Sequence, residues 1–383
     1  MILRSRASTL ESMSIAISSD AARSGSGWSL RTTLRQVAQA AVTPRDLDDV
    51  LDQFHPLRRG TELRGRVVEV RPETAASATL VIKPGRDWAG HVPGQYVRVG
   101  VDVDGVRLWR TYSLTHGPRA DRCISITVKA IPDGVVSNHL VRRIRPGQMV
   151  QLGQAEGEFV LPQPIPAKLL LVTAGSGITP VIGMLRNLFS RAERPDTDIV
   201  LLHSALSRSE VIFGEELRRY GAAGWLRLIE LHTDTHGLLD VTDLDEMVPD
   251  LAERTAYACG PAGLLDALQE HYDARDLALN VERFRAPMAA EPGEGGTVSF
   301  TSGVTVEADG ATPILDAAES AGVLMPSGCR MGVCYGCVLP LREGAVRDLR
   351  NGQLTTAAPG DGVIIQTCIN AAAGECHLDH GGG

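Results

Sequence analysis

The chain is almost without lysine: Lys83, Lys129 and Lys168 are the only three, and arginine carries the rest of the positive charge. That scarcity is a habit of genome composition and not a sign of function. Acidic residues outnumber basic ones, 46 to 38, and the net charge of −8 argues against non-specific nucleic-acid binding. Long apolar runs are missing too. Near the start, Ile15, Ala16 and Ile17 sit among serines, with no signal-peptide core. The longest uncharged stretch, between Lys168 and Arg186, is interrupted by Gly175-Ser176-Gly177 and Pro180. It therefore reads as a strand, a glycine loop and a helix start, not as a membrane span. The ten histidines are scattered, with neither an H-E-x-x-H nor an H-x-x-E-H pair. No second metal constellation accompanies the cysteines, which argues against a flavohaem or oxygenase enzyme in its own right. No internal repeat is visible. These absences leave a cytoplasmic chain, either free or peripheral at a membrane.

Cysteine is sparse, seven in 383 residues, but four of the seven are concentrated. Cys329, Cys334 and Cys337 stand in C-x4-C-x2-C order within Ser327–Cys337, and Cys368 follows. That is the plant-type spacing of a [2Fe–2S] cluster held by four thiolates. The glycines of this stretch suit such a site, because glycine lets backbone N–H groups approach the cluster sulfurs. A zinc site usually pairs two C-x2-C knuckles, and only one is present. A disulfide scaffold would be short and secreted. Cys123, Cys259 and Cys376 remain, an odd set without a pairing pattern, as in a reducing cytosol.

Along the chain the pattern changes several times. Residues 1–60 form an N-terminal extension, Ser/Arg-rich at first. It has a short helix expected over Trp28–Ala41 and a helix start at Thr43-Pro44. Residues 61–165 carry short β-branched strands spaced by turns, which points to a small antiparallel barrel. The prolines 162, 164 and 166 mark a boundary. Residues 166–285 alternate strands and helices, an α/β parallel sheet. Residues 286–296, rich in Ala, Pro, Glu and Gly, read as a linker. Residues 297–383 hold the cluster motif, opening with a hairpin turning at Ser302-Gly303 and a helix starting at Thr312-Pro313.

Three upstream motifs carry chemistry. Arg110-Thr111-Tyr112-Ser113-Leu114 ends a barrel strand with a cation, an aromatic plate and a hydroxyl, the types a flavin diphosphate needs. The same residues also occur on ordinary strands. Gly134-Val135-Val136-Ser137-Asn138 reads as a turn into a helix that could hold a phosphate, or as a plain helix start. Thr173–Pro180 lies at the first strand-to-helix turn of the α/β unit. Its glycines admit a pyrophosphate, although Pro180 replaces the third glycine of the dinucleotide fingerprint; the other reading is a tight structural turn. Cys259-Gly260-Pro261 closes a later strand. Cys259 is either a small buried hydrophobe or a neighbour of the reacting nicotinamide.

Taken in order, R-T-Y-S-L, G-V-V-S-N, A-G-S-G-I-T-P, C-G-P, Glu282-Arg283-Phe284 and C-x4-C-x2-C…C resemble the ferredoxin–NADP reductase superfamily, over about Arg64–Leu378. The layout is similar to reductases with a C-terminal plant-type ferredoxin domain. The resemblance implies a multidomain fold: a Greek-key β-barrel binding FAD, an α/β parallel-sheet domain binding NAD(P), and a β-grasp ferredoxin-like α+β domain. It implies that Arg110 binds the flavin pyrophosphate, Tyr112 packs on the isoalloxazine and Ser113 contacts its reacting edge. Lys129, Gly134 and Ser137 complete the flavin site. Gly175, Ser176, Gly177 and Thr179 hold the dinucleotide phosphates. Cys259, Glu282 and Phe284 stand near hydride transfer. The Ser137-Asn138-His139-Leu140 context resembles FAD-using members more than FMN-using ones. Where many relatives carry an arginine, this chain has Leu206; Ser207 and Arg208 lie just beyond and could serve the 2′-phosphate of NADPH in preference to NADH, or Arg208 is a solvated loop arginine and the choice between NADPH and NADH stays open. The segment with Leu51, Phe54, Pro56 and Leu57 resembles reductases serving acyl-CoA desaturases, and other relatives serve oxygenases. The expected partner is such a metal enzyme, soluble or membrane-bound. The competing function is a redox-sensing or interaction protein that keeps the modules without turnover.

Overall fold

The structure, a computed structural model, describes residues 57–380 apart from 59, 61, 104, 133, 191–195, 285–290, 292, 329, 333 and 334. The two helical expectations in the N-terminal extension lie outside the described residues. So do Cys329, Cys334 and most of the segment read as a linker.

Alternating apolar residues build the first sheet. Its strands are β1 (Arg64–Thr74), β2 (Ser77–Pro84), β3 (Tyr96–Val103), β4 (Val106–Ser113), β5 (Ile124–Lys129) and β6 (Met149–Glu156). They pair antiparallel in the order β4-β3-β6-β1-β2-β5. A bridge between Leu114 and Ile126 brings the two edge strands together and closes the barrel, which removes the exposed edges. Val67, Leu80, Ile82, Val97, Val99, Leu108, Leu114, Ile124 and Ile126 fill the interior. Strand β6 was not apparent in the sequence, because its Gln151 and Gly153 blur the alternation.

The second sheet is parallel, in the order β11-β10-β7-β8-β9. It comprises β7 (Lys168–Ala174), β8 (Asp198–Ala205), β9 (Arg227–His232), β10 (Thr255–Cys259) and β11 (Leu279–Glu282). Helices α1 (Ile178–Leu188), α2 (Gly214–Ala222) and α3 (Ala262–Asp273) cover it. Leu169 and Leu171 face one core and Leu170 and Val172 the other, as expected of a strand buried on both faces. The uncharged stretch after Lys168 is thus β7, a 3-10 turn at Gly175–Gly177 and α1. No helix among the described residues is long and apolar enough to cross a membrane.

The third sheet follows the order β13-β12-β17-β14-β15, with β16 on β14. Its strands are β12 (Gly293–Phe300), β13 (Thr305–Gly310), β14 (Val338–Asp348), β15 (Leu354–Ala357), β16 (Val363–Gln366) and β17 (Asn370–Leu378). Helix α4 (Ile314–Ser320) packs Ile314, Leu315 and Ala318 into this core. Strand β12 begins at Gly293, inside the stretch read as linker. Glycine explains the difference: a Cβ on Gly296 would lie 2.1 Å from the Gly374 carbonyl oxygen, and one on Gly310 2.1 Å from that of Gly293. Backbones approach here where side chains would clash, so a flexible-looking composition forms a strand.

Candidate functional site

The flavin motif lies at the end of β4. One close backbone approach and one side-chain hydrogen bond fix its position against the parallel-sheet lobe. A Cβ on Gly183 in α1 would lie 2.5 Å from the Leu114 carbonyl oxygen, so only glycine permits this packing. Arg186, one turn on, donates to the Thr115 carbonyl at 2.8 Å and forms a two-pronged pair with Glu216 at 2.9 and 2.6 Å. The glycine loop is set by β10: a Cβ on Gly177 would lie 2.0 Å from the Cys259 carbonyl oxygen. Thr179, buried, donates its hydroxyl to the Ser176 carbonyl at 2.9 Å.

These constraints open one cavity of about 940 Å³. Arg110, Tyr112, Ser113, Lys129, Gly134 and Ser137 line it from the barrel. Ser176, Thr179, Glu282 and Phe284 line it from the parallel-sheet lobe, and Glu319, Gly328, Arg330 and Met331 from the third lobe. Ten of the sequence-derived candidates thus share one space, although they span more than 170 residues of chain. Gly175, Gly177 and Cys259 do not line it, nor do Ser207 and Arg208, which follow β8. Cys259 is fully buried and registers beside Glu282 on β11. Tyr96 and the third-lobe residues were not anticipated, because only tertiary packing brings them here.

The electrostatics of the cavity are specific. Burial lowers the Arg110 pKa, and the neighbouring Arg330 lowers it further. Burial raises the Tyr112 phenol, so its ring stays neutral. Lys129 is 3.5 Å from Glu210 across the two lobes. Burial pushes the Glu282 carboxyl up to about 7, and burial with the Glu282 charge raises the Cys259 thiol well above its ordinary range. Off the cavity, Glu230 pairs with Arg218 at 2.8 Å and His232 at 2.7 Å, while Arg208 stands 3.9 Å away and 69% exposed.

The donor set fits a flavin dinucleotide: a guanidinium, an ammonium, hydroxyls and an aromatic ring surround a space of the size that takes cofactors. The third lobe likewise fits a cluster. Cys337 and Cys368 are buried in its core. The Thr367 hydroxyl and N–H both donate to the Cys337 carbonyl, at 2.9 and 3.2 Å, and Gln366 donates to the Gly332 carbonyl at 2.9 Å. Arg330, Gly332 and Tyr335 have positive φ (59°, 73° and 54°), a run of left-handed residues that curls the loop. A Cβ on Gly332 would meet Arg350 at 2.9 Å, so the loop is tightly bedded.

Comparison with known proteins agrees lobe by lobe. Residues 75–161 match the oxidoreductase FAD-binding domain, 171–270 the oxidoreductase NAD-binding domain and 299–371 the 2Fe-2S iron-sulfur cluster binding domain. An NADPH oxidoreductase of Mycobacterium tuberculosis is 46% identical, over 92% of this chain and 93% of its own. The ferredoxin reductase component of 3-ketosteroid-9-alpha-monooxygenase from the same organism is 29% identical, over 78% of this chain and 90% of its own. Among solved structures, phthalate dioxygenase reductase superimposes with a TM-score of 0.56 at 23% identity, covering 83% of this chain and 97% of that one.

Proposed function

Since the chain belongs to the ferredoxin–NADP reductase superfamily, in the branch with FAD, NAD(P)H and a C-terminal [2Fe–2S] ferredoxin domain, we propose that it draws hydride from NADPH and supplies single electrons to a metal-dependent oxygenase. The observation that carries this is the single cavity lined by flavin motif, glycine loop and cluster loop together. A flavin bound there supplies the conversion of a two-electron hydride into single electrons, which a [2Fe–2S] cluster can take. The chain's residues do the rest. Arg110 and Lys129 offer charge to the flavin phosphates, and Tyr112 packs against the ring. Ser113 donates a hydrogen bond at the ring edge, and Gly134 and Ser137 close the site. Gly175, Ser176, Gly177 and Thr179 seat the dinucleotide, and Phe284 shields the reacting faces from water. Ser207 and the exposed Arg208 meet the 2′-phosphate; the relative that is an NADPH oxidoreductase supports this choice. Cys329, Cys334, Cys337 and Cys368 hold the cluster. Oxygenase reductases among the relatives support the acceptor class over a desaturase.

Glu282 gives this reading a pH signature. Its raised pKa means the folded chain holds the proton more tightly than the unfolded one. Its contribution to stability is therefore complete below the ordinary carboxylate range and is lost as pH rises through about 7. Protonated, Glu282 is a hydrogen-bond donor beside Cys259 where hydride passes. Flavin reduction by NADPH should slow as pH rises through about 7. Glu282→Gln, which keeps a donor but cannot ionise, should flatten the profile. A wild-type profile already flat from pH 6 to 8 would remove Glu282 from this role.

The acceptor is tested by coupling. The module from Thr297 onward has nine acids and four arginines, while the segment before Gly60 has eight arginines and six acids. Several module acids are spent internally: Asp348 on Arg350, Asp379 on Arg342, and Asp316 and Glu319 on Arg330. Those that remain offer an acidic face to a basic acceptor, and the N-terminal segment could hold the reductase near a membrane-bound one. With a partner oxygenase, added salt should slow substrate oxygenation and leave flavin reduction unchanged. Coupled turnover that ignores salt and survives loss of the cluster would contradict the proposal.

A further inference from the structure

Four charged side chains meet where the cluster loop faces the barrel. Arg110, at the end of β4, donates one guanidinium nitrogen to the Trp109 carbonyl at 2.8 Å and to the Ser327 hydroxyl at 3.2 Å. Its other terminal nitrogen meets both Glu319 carboxylate oxygens, at 3.3 and 3.1 Å. Glu319 closes helix α4 of the third lobe and also pairs with Arg330, which follows Cys329 in the cluster loop. Arg330 in turn pairs with Asp316, one turn earlier on the same helix. The order across the lobes is Arg110, Glu319, Arg330, Asp316, alternating in sign.

This network is not ordinary surface charge. Arg110 and Glu319 are 20% and 22% exposed, and Arg330 only 14%, so solvent screens them less than exposed pairs. Two guanidiniums converge on one carboxylate, and without it they would face each other as like charges. Ser327 is buried and belongs to the cluster loop, so the barrel grips that loop directly at Ser327 and the helix before it at Glu319. Arg110 is also the residue at the flavin phosphates in the reading above. The strand that holds the flavin and the loop that holds the cluster are therefore tied through one carboxylate.

We propose that Glu319 is a positioning residue for internal electron transfer: it latches the cluster loop to the flavin-binding strand through Arg110 and Arg330, and so sets the flavin-to-cluster approach. This rests on the reading of the chain as a flavin and [2Fe–2S] reductase. The role is mechanical and electrostatic. Glu319 carries neither hydride nor electron. The latch couples the two cofactor-bearing lobes directly. It also explains why a ferredoxin module carrying excess acid spends two carboxylates inward.

The test is Glu319→Gln, which keeps shape and removes charge, with Glu319→Asp as the conservative partner. Flavin and iron content come first; a wild-type protein lacking either would refute the underlying reading, separately from the latch. In the Gln variant, rapid mixing with NADPH should show flavin reduction at the wild-type rate and cluster reduction slowed about tenfold, as a misplacement of the reacting groups would cause. Glu319→Asp should recover part of the loss. Hydrogen exchange gives a readout independent of turnover: peptides covering β4 and residues 322–328 should exchange faster, and β7 should not change. Cluster reduction within twofold of wild type, with unchanged exchange, would overturn the proposal. Should the Gln variant lose flavin or iron, Glu319→Asp decides: its shorter carboxylate cannot span both guanidiniums, so cluster reduction should slow there too, and a rate equal to wild type would overturn the latch.

Discussion

Cys337→Ser and Cys368→Ser should each empty the chain of iron, from about two per chain to near none, while flavin binding and its reduction by NADPH should persist. Both cysteines are buried, 1% and 4% exposed, and are drawn from separate segments of one core. The Thr367 hydroxyl and amide hold those segments together. A serine hydroxyl stays protonated where a thiolate would bind, so one change removes a quarter of the ligand set. The separation of effects follows from the architecture, since the flavin and dinucleotide motifs lie on the barrel and the parallel-sheet lobe while these two cysteines sit in the core of the third. Cys376 is the internal control. It is equally buried, but burial pushes its thiol up to about 11 and it belongs to the plain core of β17. Cys376→Ser should keep its iron. Stoichiometric zinc in anaerobically purified protein would contradict the assignment.

Gly177→Ala should lower flavin reduction by NADPH about a hundredfold while leaving flavin and iron content intact. The added Cβ would sit 2.0 Å from the Cys259 carbonyl oxygen and 2.8 Å from the Gly260 nitrogen. Both are backbone atoms at the end of β10, an interior strand, and cannot swing aside. The loop must move instead, and the dinucleotide phosphates lose their seat. Gly175→Ala is the instructive contrast. Gly175 has φ of 54° and open space around its Cβ position. Alanine there costs about 1 kcal/mol of backbone strain without a clash. Equal losses in both variants, measured by single-turnover kinetics, would mean that conformational freedom and not close packing is what the loop requires.

The contrast between these glycines also shows what can be read from sequence. The G-S-G loop was legible as a tight strand-to-helix turn, yet which glycine was needed for space depended on β10, some 80 residues later. The cluster domain was legible because C-x4-C-x2-C is a local, stereotyped spacing, and residues 299–371 match a 2Fe-2S domain. The β4 motif was legible because a cation, an aromatic ring and a hydroxyl fall within four residues at the end of a strand. Strand β11 was not. It has four residues, and its Asn280 donates to the Ala256 carbonyl at 3.0 Å in place of an apolar signal. The latch was invisible for a different reason. Arg110 and Glu319 are separated by 209 residues, and nothing in a run of surface-like acids marks the one that turns inward.

In the proposed order, electrons pass from nicotinamide to flavin to cluster across one cavity. Anaerobic rapid mixing with NADPH, followed at flavin and cluster wavelengths together, resolves that order. Flavin absorbance should fall first and cluster absorbance follow. Protein freed of flavin should leave its cluster oxidised. Cluster reduction at an unchanged rate in flavin-free protein would contradict it.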